Sequence, residues 1–408
     1  MGMSMPSNLE RVSIVKCFST SSDEEVIRRT IEAIEMLGEY GAGFRHARKI
    51  AIKINAGIDR VVLTDGKQTE LTEPAVVEGA IQAIRKVTDA EIVIGDAPTD
   101  GASLGLYAAL GYPERLARYA NVRLIDFADS AIVQVPMAHS GGMFGSYMLP
   151  IELADADAFV SLAKMKAHVS VGCTLSIKNL FGWLPTAVYG IPRNYLHDRL
   201  IRLPRVLADL ACHFKPCLNV IDGIVATNSS EWRGTPVRPG VIVAGTNCVA
   251  TDSVGARVMG FDPCGDYPNH PFFYRRNVIK IAAEMGLGPN SPDSIEIVGA
   301  SHNGHCEPFH VIRYEGDTNR PEQLRRGAAC VEAYRGQQDN LAERYNGRYL
   351  ALFDGEVLWD SEDMRSMKQM ESESGRDWKS TPQFVVKCVP VVNEIERYEW
   401  YAADAAAL

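Results

Sequence analysis

A short basic stretch holds the side chains of this chain that are best suited to acid–base chemistry. Lys164, Lys166 and His168 alternate along the chain, and Lys178 and Asn179 fall within the same 16 positions. Apolar residues border the stretch, and an ammonium group near an apolar wall either binds an anion or loses its proton. Because the unperturbed pKa of histidine lies nearest neutral pH, we predict that His168 is a general acid or base. We predict catalytic roles for Lys166 and Lys178 as well. Surface lysines beside a core histidine are the alternative.

Polar residues at the ends of predicted strands extend this candidate site. In an open α/β sheet, a ligand lies beyond the carboxyl ends of the strands. The lysines are expected to bind a carboxylate or phosphate group, and Asp222 is expected to orient a lysine or hold a metal. Aspartates at strand ends also cap the following helix, which is the alternative at these positions. The predicted substrate-binding residues are Lys53, Asn55, Asp96, Lys164, Thr174, Asn179 and Asp222.

The sequence carries no recognisable cofactor motif. It contains neither of the glycine-rich nucleotide fingerprints, GxGxxG and GxxxxGK[ST], and no Gly-x-Ser-x-Gly elbow of an acyl-enzyme hydrolase. The nine cysteines include no CxxC pair, and the closest two, Cys212 and Cys217, lie five positions apart. That spacing does not match the cysteine motifs of iron–sulfur clusters or structural zinc. The sequence therefore does not identify a cofactor.

Metal binding stays open as an alternative. Two histidines and a cysteine in the segment 302–306 are zinc-type ligands, although no fourth ligand follows at a fixed spacing. A divalent cation shared by Asp96, Asp222 and Asp252 is a second arrangement. We predict no metal ligand among the site residues named above.

Composition limits the classes of function that the chain can have. Its 408 residues include 51 acidic and 42 basic side chains, which gives a net charge of -9 and disfavours a nucleic-acid or anionic-membrane partner. No apolar run reaches the roughly 18 residues of a membrane span, and the first residues lack the apolar core of a signal peptide. We therefore expect a cytoplasmic protein with a small anionic ligand. Formation of a homo-oligomer stays open.

Short apolar runs alternate with helical patterns along most of the chain. This alternation predicts an α/β fold with an open, mostly parallel, Rossmann-like sheet covered by helices over residues 1–300, with a break between sub-domains near 130–150 as one option. Residues 301–408 are predicted to form a polar linker and a small α+β appendage. Strands are predicted at Val12–Val15, Lys49–Asn55, Glu91–Gly95, Val122–Asp126, Ala158–Leu162, Leu218–Asp222, Val241–Ala244 and Ile295–Val298, and in the appendage at Tyr349–Asp354, Glu356–Trp359 and Gln383–Val389. Helices are predicted at Asp23–Gly38, Glu73–Val87, Ser103–Leu110, Pro113–Tyr119, Arg199–His213, Ala250–Met259, Val278–Met285 and Ser361–Met370.

Seven short motifs occur in a characteristic order between about residues 49 and 299. They are Lys53-Ile-Asn55, Gly95-Asp96, Lys164-Met-Lys166-Ala-His168, Thr174 with Lys178-Asn179-Leu-Phe-Gly182, Leu218-Asn-Val-Ile-Asp222-Gly223, Ala244-Gly245-Thr with Ala250-Thr-Asp252, and Met259-Gly260-Phe261-Asp262-Pro263. In this order they resemble the domain of unknown function 362 family. The resemblance implies little about chemistry. Many members carry a ferredoxin-like segment with tightly spaced cysteines, which this chain lacks, so the resemblance does not imply an attached iron–sulfur cluster here.

Together these features favour an enzyme that acts on a small anionic substrate. Lysine and histidine acid–base chemistry, such as proton abstraction or elimination, needs no cofactor motif and would make the enzyme a lyase or an isomerase. A non-catalytic factor that binds a metabolite or a metal in the same place is the alternative. An iron–sulfur redox protein, which would need cysteines from distant segments to converge, is a third and less favoured hypothesis.

Overall fold

The computed structural model of the protein describes residues 9–98, 103–137, 141–197, 200–304, 306–313, 320–364, 367, 372 and 384–407. Its strands are β1 Glu10–Lys16, β2 Lys49–Ile54, β3 Leu63–Thr64, β4 Lys67–Gln68, β5 Glu91–Asp96, β6 Val122–Asp126, β7 Ile132–Pro136, β8 Ser146–Pro150, β9 Ala158–His168, β10 Gly172–Thr174, β11 Leu218–Asn228, β12 Thr235–Val237, β13 Val241–Gly245, β14 Ile295–Gly299, β15 Tyr349–Phe353, β16 Glu356–Ser361 and β17 Phe384–Lys387. Its α-helices are α1 Asp23–Glu35, α2 Pro74–Arg85, α3 Ser103–Ala109, α4 Tyr112–Leu116, α5 Ile151–Ala154, α6 Ser176–Asn179, α7 Thr186–Tyr189, α8 Arg202–Phe214, α9 Cys248–Val258, α10 Val278–Glu284, α11 Arg320–Arg335, α12 Gln338–Tyr345 and α13 Glu399–Ala406.

One large sheet forms the centre of the molecule. Its strands follow the order β14-β1-β13-β11-β9-β2-β5-β6, with β10 paired to β9 and β12 paired to β11. Strands β11, β9, β2, β5 and β6 are parallel to one another, and β14 is parallel to β1. Strand β13 runs antiparallel to both of its neighbours. The predicted fold class, a mostly parallel α/β sheet, is confirmed.

Helices cover both faces of the sheet because most of its strands are apolar on both sides. Helices α1 and α2 bury Ile34 and Ile81 against Ile52 and Leu162 on one face. Helices α6, α8, α9 and α10 pack on the other face around a second cluster of buried apolar residues. Each predicted strand and helix up to residue 299 is present, and apart from the carboxyl ends of β9 and β11 their ends shift by only a few residues. No helix of the described residues is long and apolar enough to cross a membrane.

Strand β9 is longer than its sequence suggests, and this corrects the prediction that it ends near Leu162. It continues to His168, so Lys164 and Lys166 lie inside the strand rather than beyond its end. The cause is the two-residue period of a strand, which places polar residues on one face and apolar ones on the other. Met165 belongs to the apolar face and is fully buried.

The C-terminal part adds a small antiparallel sheet in the order β16-β15-β17 and the helices α11, α12 and α13. Helices α11 and α12 occupy much of the segment that was predicted to be a polar linker, and α11 buries Val331 and Tyr334 against the rest of the molecule. Position 305, most of the predicted helix 361–370 and the first residue of the predicted strand 383–389 lie outside the described residues. The domain boundary near residue 300 stays a prediction. Strands β7 and β8 pair as a hairpin in the region where a sub-domain break was predicted.

Candidate functional site

Lys166 lies at the centre of a group of polar side chains on β9. Its ammonium nitrogen donates hydrogen bonds to Oδ1 of Asn55 at 2.9 Å and to the carbonyl oxygen of Glu70 at 3.0 Å. The ring of Trp232 covers it, with the nitrogen 3.7 Å from the ring centroid. Burial lowers the pKa of Lys166 to about 7, with the charge of Lys178 acting in the same direction and that of Glu231 opposing it. Lys166 therefore exchanges a proton near neutral pH.

Lys53 and Asp96 form a buried ion pair at the carboxyl ends of β2 and β5. Nζ of Lys53 lies 2.8 Å from Oδ1 of Asp96 and also donates to the carbonyl oxygen of Ile54 and to Oδ1 of Asn179. The amide of Asn55 donates to the same Oδ1 of Asn179 at 3.2 Å. Burial lowers the pKa of Lys53 to about 8, although the pair with Asp96 raises it. These bonds fix Asn55 beside Lys166.

A tight chain segment closes over this ion pair. A Cβ atom on Gly182 would overlap Oδ1 of Asp96 and would lie 2.6 Å from Nζ of Lys53, so a larger residue would have to displace the ion pair. Arg193 donates to the carbonyl oxygens of Leu184, Ala97 and Gly182 at 2.6, 2.6 and 3.0 Å. The guanidinium therefore ties the segment that follows α6 to the end of β5.

Lys178 of α6 has a different environment from the other lysines. Its Nζ lies 4.8 Å from the ring centroid of Phe181, and the same ring lies near Arg193 and His197. Within the described part of the chain, Nζ of Lys178 has no hydrogen-bond acceptor and no carboxylate at ion-pair distance. Burial lowers the pKa of Lys178 to about 8, and the nearby cations lower it as well while Glu231 raises it. This ammonium is available to an anion.

His168 ends β9 and is neutral at physiological pH. Its Nδ1 accepts a hydrogen bond from the backbone N–H of Ser170 at 3.1 Å, so the proton of the neutral ring is on Nε2. Nε2 lies 3.7 Å from a carboxylate oxygen of Glu231. Burial, together with the charges of Lys178 and Lys166, holds the pKa of His168 well below its usual range. A protonated His168 would be repelled by the charges of Lys178 and Lys166, which disfavours the ring as a general base.

Lys164 and Asp222 have partners of their own in the protein interior. Both side chains are fully buried, and Nζ of Lys164 lies 2.9 Å from Oδ2 of Asp222. The same oxygen accepts the backbone N–H of Glu73, the residue before α2. The expectation that Asp222 orients a lysine fits this geometry. The predicted substrate-binding role of the two residues stays a prediction.

The remaining predicted residues lie close to Lys166. Asn179 is described above, and its amide also donates to Oγ of Ser161 at 3.1 Å. Thr174 of β10 pairs directly with Lys166 of β9 in the ladder and is buried. The site thus brings together Lys53, Asn55, Asp96, Lys166, His168, Thr174, Lys178 and Asn179.

The arrangement in which three aspartates share a cation does not occur. Asp96 pairs with Lys53 and Asp222 pairs with Lys164, while Asp252 accepts the backbone N–H groups of Ser176 and Ile177 at 2.7 and 2.8 Å. Among the residues that the structure describes, no three histidine, cysteine or acidic side chains come together as metal ligands. All nine cysteines are among those residues and are free thiols.

Several residues of the site were not predicted from the sequence. Glu70, Glu231 and Trp232 come from loops, and their role depends on where the strands end. Strand β11 was predicted to end at Asp222 but continues to Asn228. Had that end been placed correctly, the rule that ligands lie beyond the carboxyl ends of strands would have indicated residues 229–234. Arg193 and His197 have no local pattern that would have revealed them.

The fold and the site define an α/β protein with a cluster of lysines of lowered pKa at the carboxyl edge of a mostly parallel sheet. A family model described as Domain of unknown function (DUF362) matches residues 50–257, and the chain belongs to this family. The resemblance stated from the motifs is confirmed. The matched segment contains the predicted catalytic residues Lys166, His168 and Lys178.

The chain is also similar to individual proteins. It is 25% identical over 233 residues to a thylakoid-associated protein of Synechocystis sp., covering 56% of this chain and 68% of that protein. Among solved structures, the lactate racemase apoprotein of Thermoanaerobacterium thermosaccharolyticum is similar to this chain, with 13% identity and a TM-score of 0.33. The match covers 64% of this chain and 59% of the racemase chain. A protein from Thermotoga maritima matches 56% of this chain and 55% of its own, with 12% identity and a TM-score of 0.28. This chain therefore spans less than two thirds of each of these two structures.

Proposed function

We propose that the protein is an enzyme that binds a small carboxylate or phosphate compound through Lys178 and moves a proton through Lys166. The observation that carries this proposal is the difference between the two lysines. The nitrogen of Lys166 donates hydrogen bonds to two groups of the protein. The nitrogen of Lys178 has no hydrogen-bond acceptor among the described residues. One lysine is held in place and the other is free to meet a ligand.

The number of hydrogen-bond donors and lone pairs on the amine supports Lys166 as the base. A neutral amine has two N–H groups and one lone pair, so Asn55 and Glu70 can accept both N–H groups while the lone pair stays available. With a pKa of about 7, about half of Lys166 is neutral at pH 7, and Lys178 with a pKa of about 8 is mostly charged. The base is therefore Lys166 and the anion-binding group is Lys178.

His168 has a different role from the one expected from its residue type. Because it stays neutral with its proton on Nε2, it can donate a hydrogen bond to the substrate or to Glu231. Removal of a proton from carbon next to a carbonyl group would charge Lys166 and create an enolate. Protonation of the enolate on the opposite face of that carbon, or at another carbon, gives an isomerisation and returns Lys166 to its neutral form. Loss of a leaving group from the adjacent carbon gives an elimination.

Hydrogen–deuterium exchange on candidate substrates tests this function. The protein is incubated in D₂O with a panel of small carboxylates and phosphate esters that carry an acidic C–H, and ¹H NMR records the loss of proton signals. We expect exchange with one class of compound in the wild-type protein. Lys166→Met is expected to slow it by at least about 100-fold, the usual contribution of a general base.

Two controls make the result specific. Lys86→Met removes an exposed lysine that pairs with Glu35 and should leave exchange unchanged. Lys178→Met should weaken apparent substrate affinity more than turnover, because it removes an anion contact. Exchange that persists in Lys166→Met would contradict the proposal. Measurable affinity for a compound without any exchange would instead favour the non-catalytic binding factor.

A further inference from the structure

The segment 229–234, which follows β11, lies directly over Lys166. Trp232 places its ring 3.7 Å from the lysine nitrogen and is itself partly exposed, whereas Lys166 is only 1% exposed. A Cβ atom on Gly57 would lie 3.9 Å from the ring, so the loop 55–62 lies beside it. The ring of Trp232 thus covers the nitrogen of Lys166.

Two glutamates hold the tip of this segment. Glu231 within it accepts the backbone N–H of Val169 through Oε2 at 3.2 Å, and Glu70 binds it from outside. Oε1 of Glu70 accepts the backbone N–H of Arg233 at 2.5 Å, and its Oε2 accepts Nε of Arg60 at 2.9 Å. The carbonyl oxygen of Glu70 accepts the ammonium of Lys166 at 3.0 Å. A single residue therefore joins the segment 229–234, the loop 55–62 and the candidate base.

The base of the segment is firmly anchored. Ser229 donates its backbone N–H to the carbonyl oxygen of His310 at 3.0 Å, and a Cβ atom on Gly234 would overlap the carbonyl oxygen of Asn228. Between these points, Ser229 and Arg233 have φ angles of 68° and 57°. Such left-handed conformations are strained in residues other than glycine and often mark mobile functional segments.

We propose that residues 229–234 form a lid over Lys166, with Trp232 as the covering group and Glu70 as the latch. This inference rests on the proposed function, because a lid matters only if Lys166 meets a substrate. Opening breaks the hydrogen bonds from Arg233 to Glu70 and from Val169 to Glu231, and it lifts the Trp232 ring. Closing returns the ring to Lys166 and excludes water from the lysine during proton transfer.

Chemical labelling of the full-length folded protein tests the lid without any substrate. Acetic anhydride transfers an acetyl group to a neutral lysine nitrogen and releases acetate and a proton, and mass spectrometry of the Lys166 peptide gives the rate. Measurement between about pH 6 and 10 separates the pKa of Lys166 from its accessibility. Labelling of the exposed Lys86 in the same sample serves as the internal reference.

The expected result is a graded increase in the labelling of Lys166. Trp232→Ala removes the cover and should raise the pH-corrected rate by about tenfold or more, since accessibility no longer depends on local opening. Glu70→Gln keeps the ring and loosens the latch, so a smaller increase of about threefold is expected on the same grounds. Trp232→Phe keeps an aromatic cover and should restore the slow rate.

Matched controls and a clear negative outcome complete the experiment. Trp359→Ala removes a tryptophan of β16 and should leave the labelling of Lys166 unchanged. A rate in Trp232→Ala within a factor of about two of the wild type would overturn the lid. This result is independent of the deuterium-exchange assay, so failure of the lid and failure of the proposed function are seen separately.

Discussion

Lys166 and Lys178 are suited to acid–base chemistry and anion binding because burial lowers their pKa values to about 7 and about 8. Their residue types and their position near apolar residues are visible in the sequence, and both were predicted to be catalytic. Their difference in hydrogen bonding is not visible there, because the partners Asn55 and Glu70 lie far away in the chain. That difference is the basis for proposing Lys166 as the base, and the role of His168 as a general acid or base stays a prediction.

The low pKa of Lys166 also predicts how stability depends on pH. Between about pH 7 and 10.5 the unfolded chain holds a proton on this lysine that the folded protein lacks, so the free energy of unfolding rises with pH in that range. The contribution is at most about 1.4 kcal/mol per pH unit. Lys166→Met should therefore flatten the dependence measured by urea denaturation between about pH 7 and 9.

The control for this prediction is Lys86→Met, which changes an exposed lysine and should keep the wild-type slope. Comparison of variant with wild type removes the contributions of other titrating groups. An unchanged slope in Lys166→Met would mean that Lys166 is protonated in the folded protein at neutral pH.

Gly182 is a second residue whose substitution should have a large effect. An alanine side chain would overlap Asp96 and crowd Lys53, so Gly182→Ala should separate their ion pair and destabilise the protein by about 2 kcal/mol or more. Urea denaturation measures the loss. Gly105→Ala on α3 is the matched control, because nothing lies within 4 Å of its Cβ position, and it should be neutral or slightly stabilising. Equal stabilities of the two variants would refute the crowding argument.

At the level of elements, the sequence predicted the parallel strands well and the ends of two of them poorly. Apolar runs such as Val160–Leu162 reveal a buried strand, but the polar residues of β9 after Leu162 resemble a loop. The strand continues because Ala163, Met165 and Ala167 still pack into the core. The carboxyl end of β11 was also predicted too early, so the segment that contains Trp232 was not recognised as following a strand. Helix α6 was not predicted because it is too short to show a periodic pattern.

Helix α6 depends on a carboxylate from α9, which gives a prediction for the element that carries Lys178. Asp252 accepts the N–H groups of Ser176 and Ile177, and burial raises its pKa to about 7. Asp252→Ala leaves both donors without this partner and should destabilise the protein by about 2 to 4 kcal/mol. It should also weaken the apparent substrate affinity in the exchange assay, because Lys178 shifts with the helix.

Asp252→Asn is the matched variant for this prediction. The amide keeps one acceptor oxygen and the volume of the side chain, so it should lose less than half as much stability as Asp252→Ala. Full stability and full substrate affinity in Asp252→Ala would show that α6 is positioned by its other contacts.

On the scale of the whole molecule, buried ion pairs join the C-terminal part to the α/β core. Arg202 of α8 makes a bidentate pair with Glu396 at 2.6 and 2.9 Å, and Arg205 pairs with Asp404 of α13. Composition and alternation predicted the α/β core and the small antiparallel sheet. They did not predict these contacts, because each joins residues about 200 positions apart.

Removal of one partner from the Arg202 and Glu396 pair should destabilise the molecule strongly. Glu396→Ala takes the carboxylate from a buried guanidinium, which typically costs about 3 to 5 kcal/mol. Urea denaturation measures this loss, and Glu35→Ala, which breaks an exposed pair with Lys86, should cost less than about 1 kcal/mol. A loss in Glu396→Ala as small as in Glu35→Ala would show that the C-terminal part is held by apolar packing alone.

NMR of the protein with ¹³C-labelled lysine side chains tests most directly whether Lys166 and Lys178 exchange protons near neutral pH. The pH dependence of each ε-carbon shift gives the pKa of its amine, and Lys166→Met and Lys178→Met identify the two signals. We expect the Lys166 signal to titrate at about 7 and the Lys178 signal at about 8. Titration of both signals at the ordinary value of about 10.4 would contradict the account.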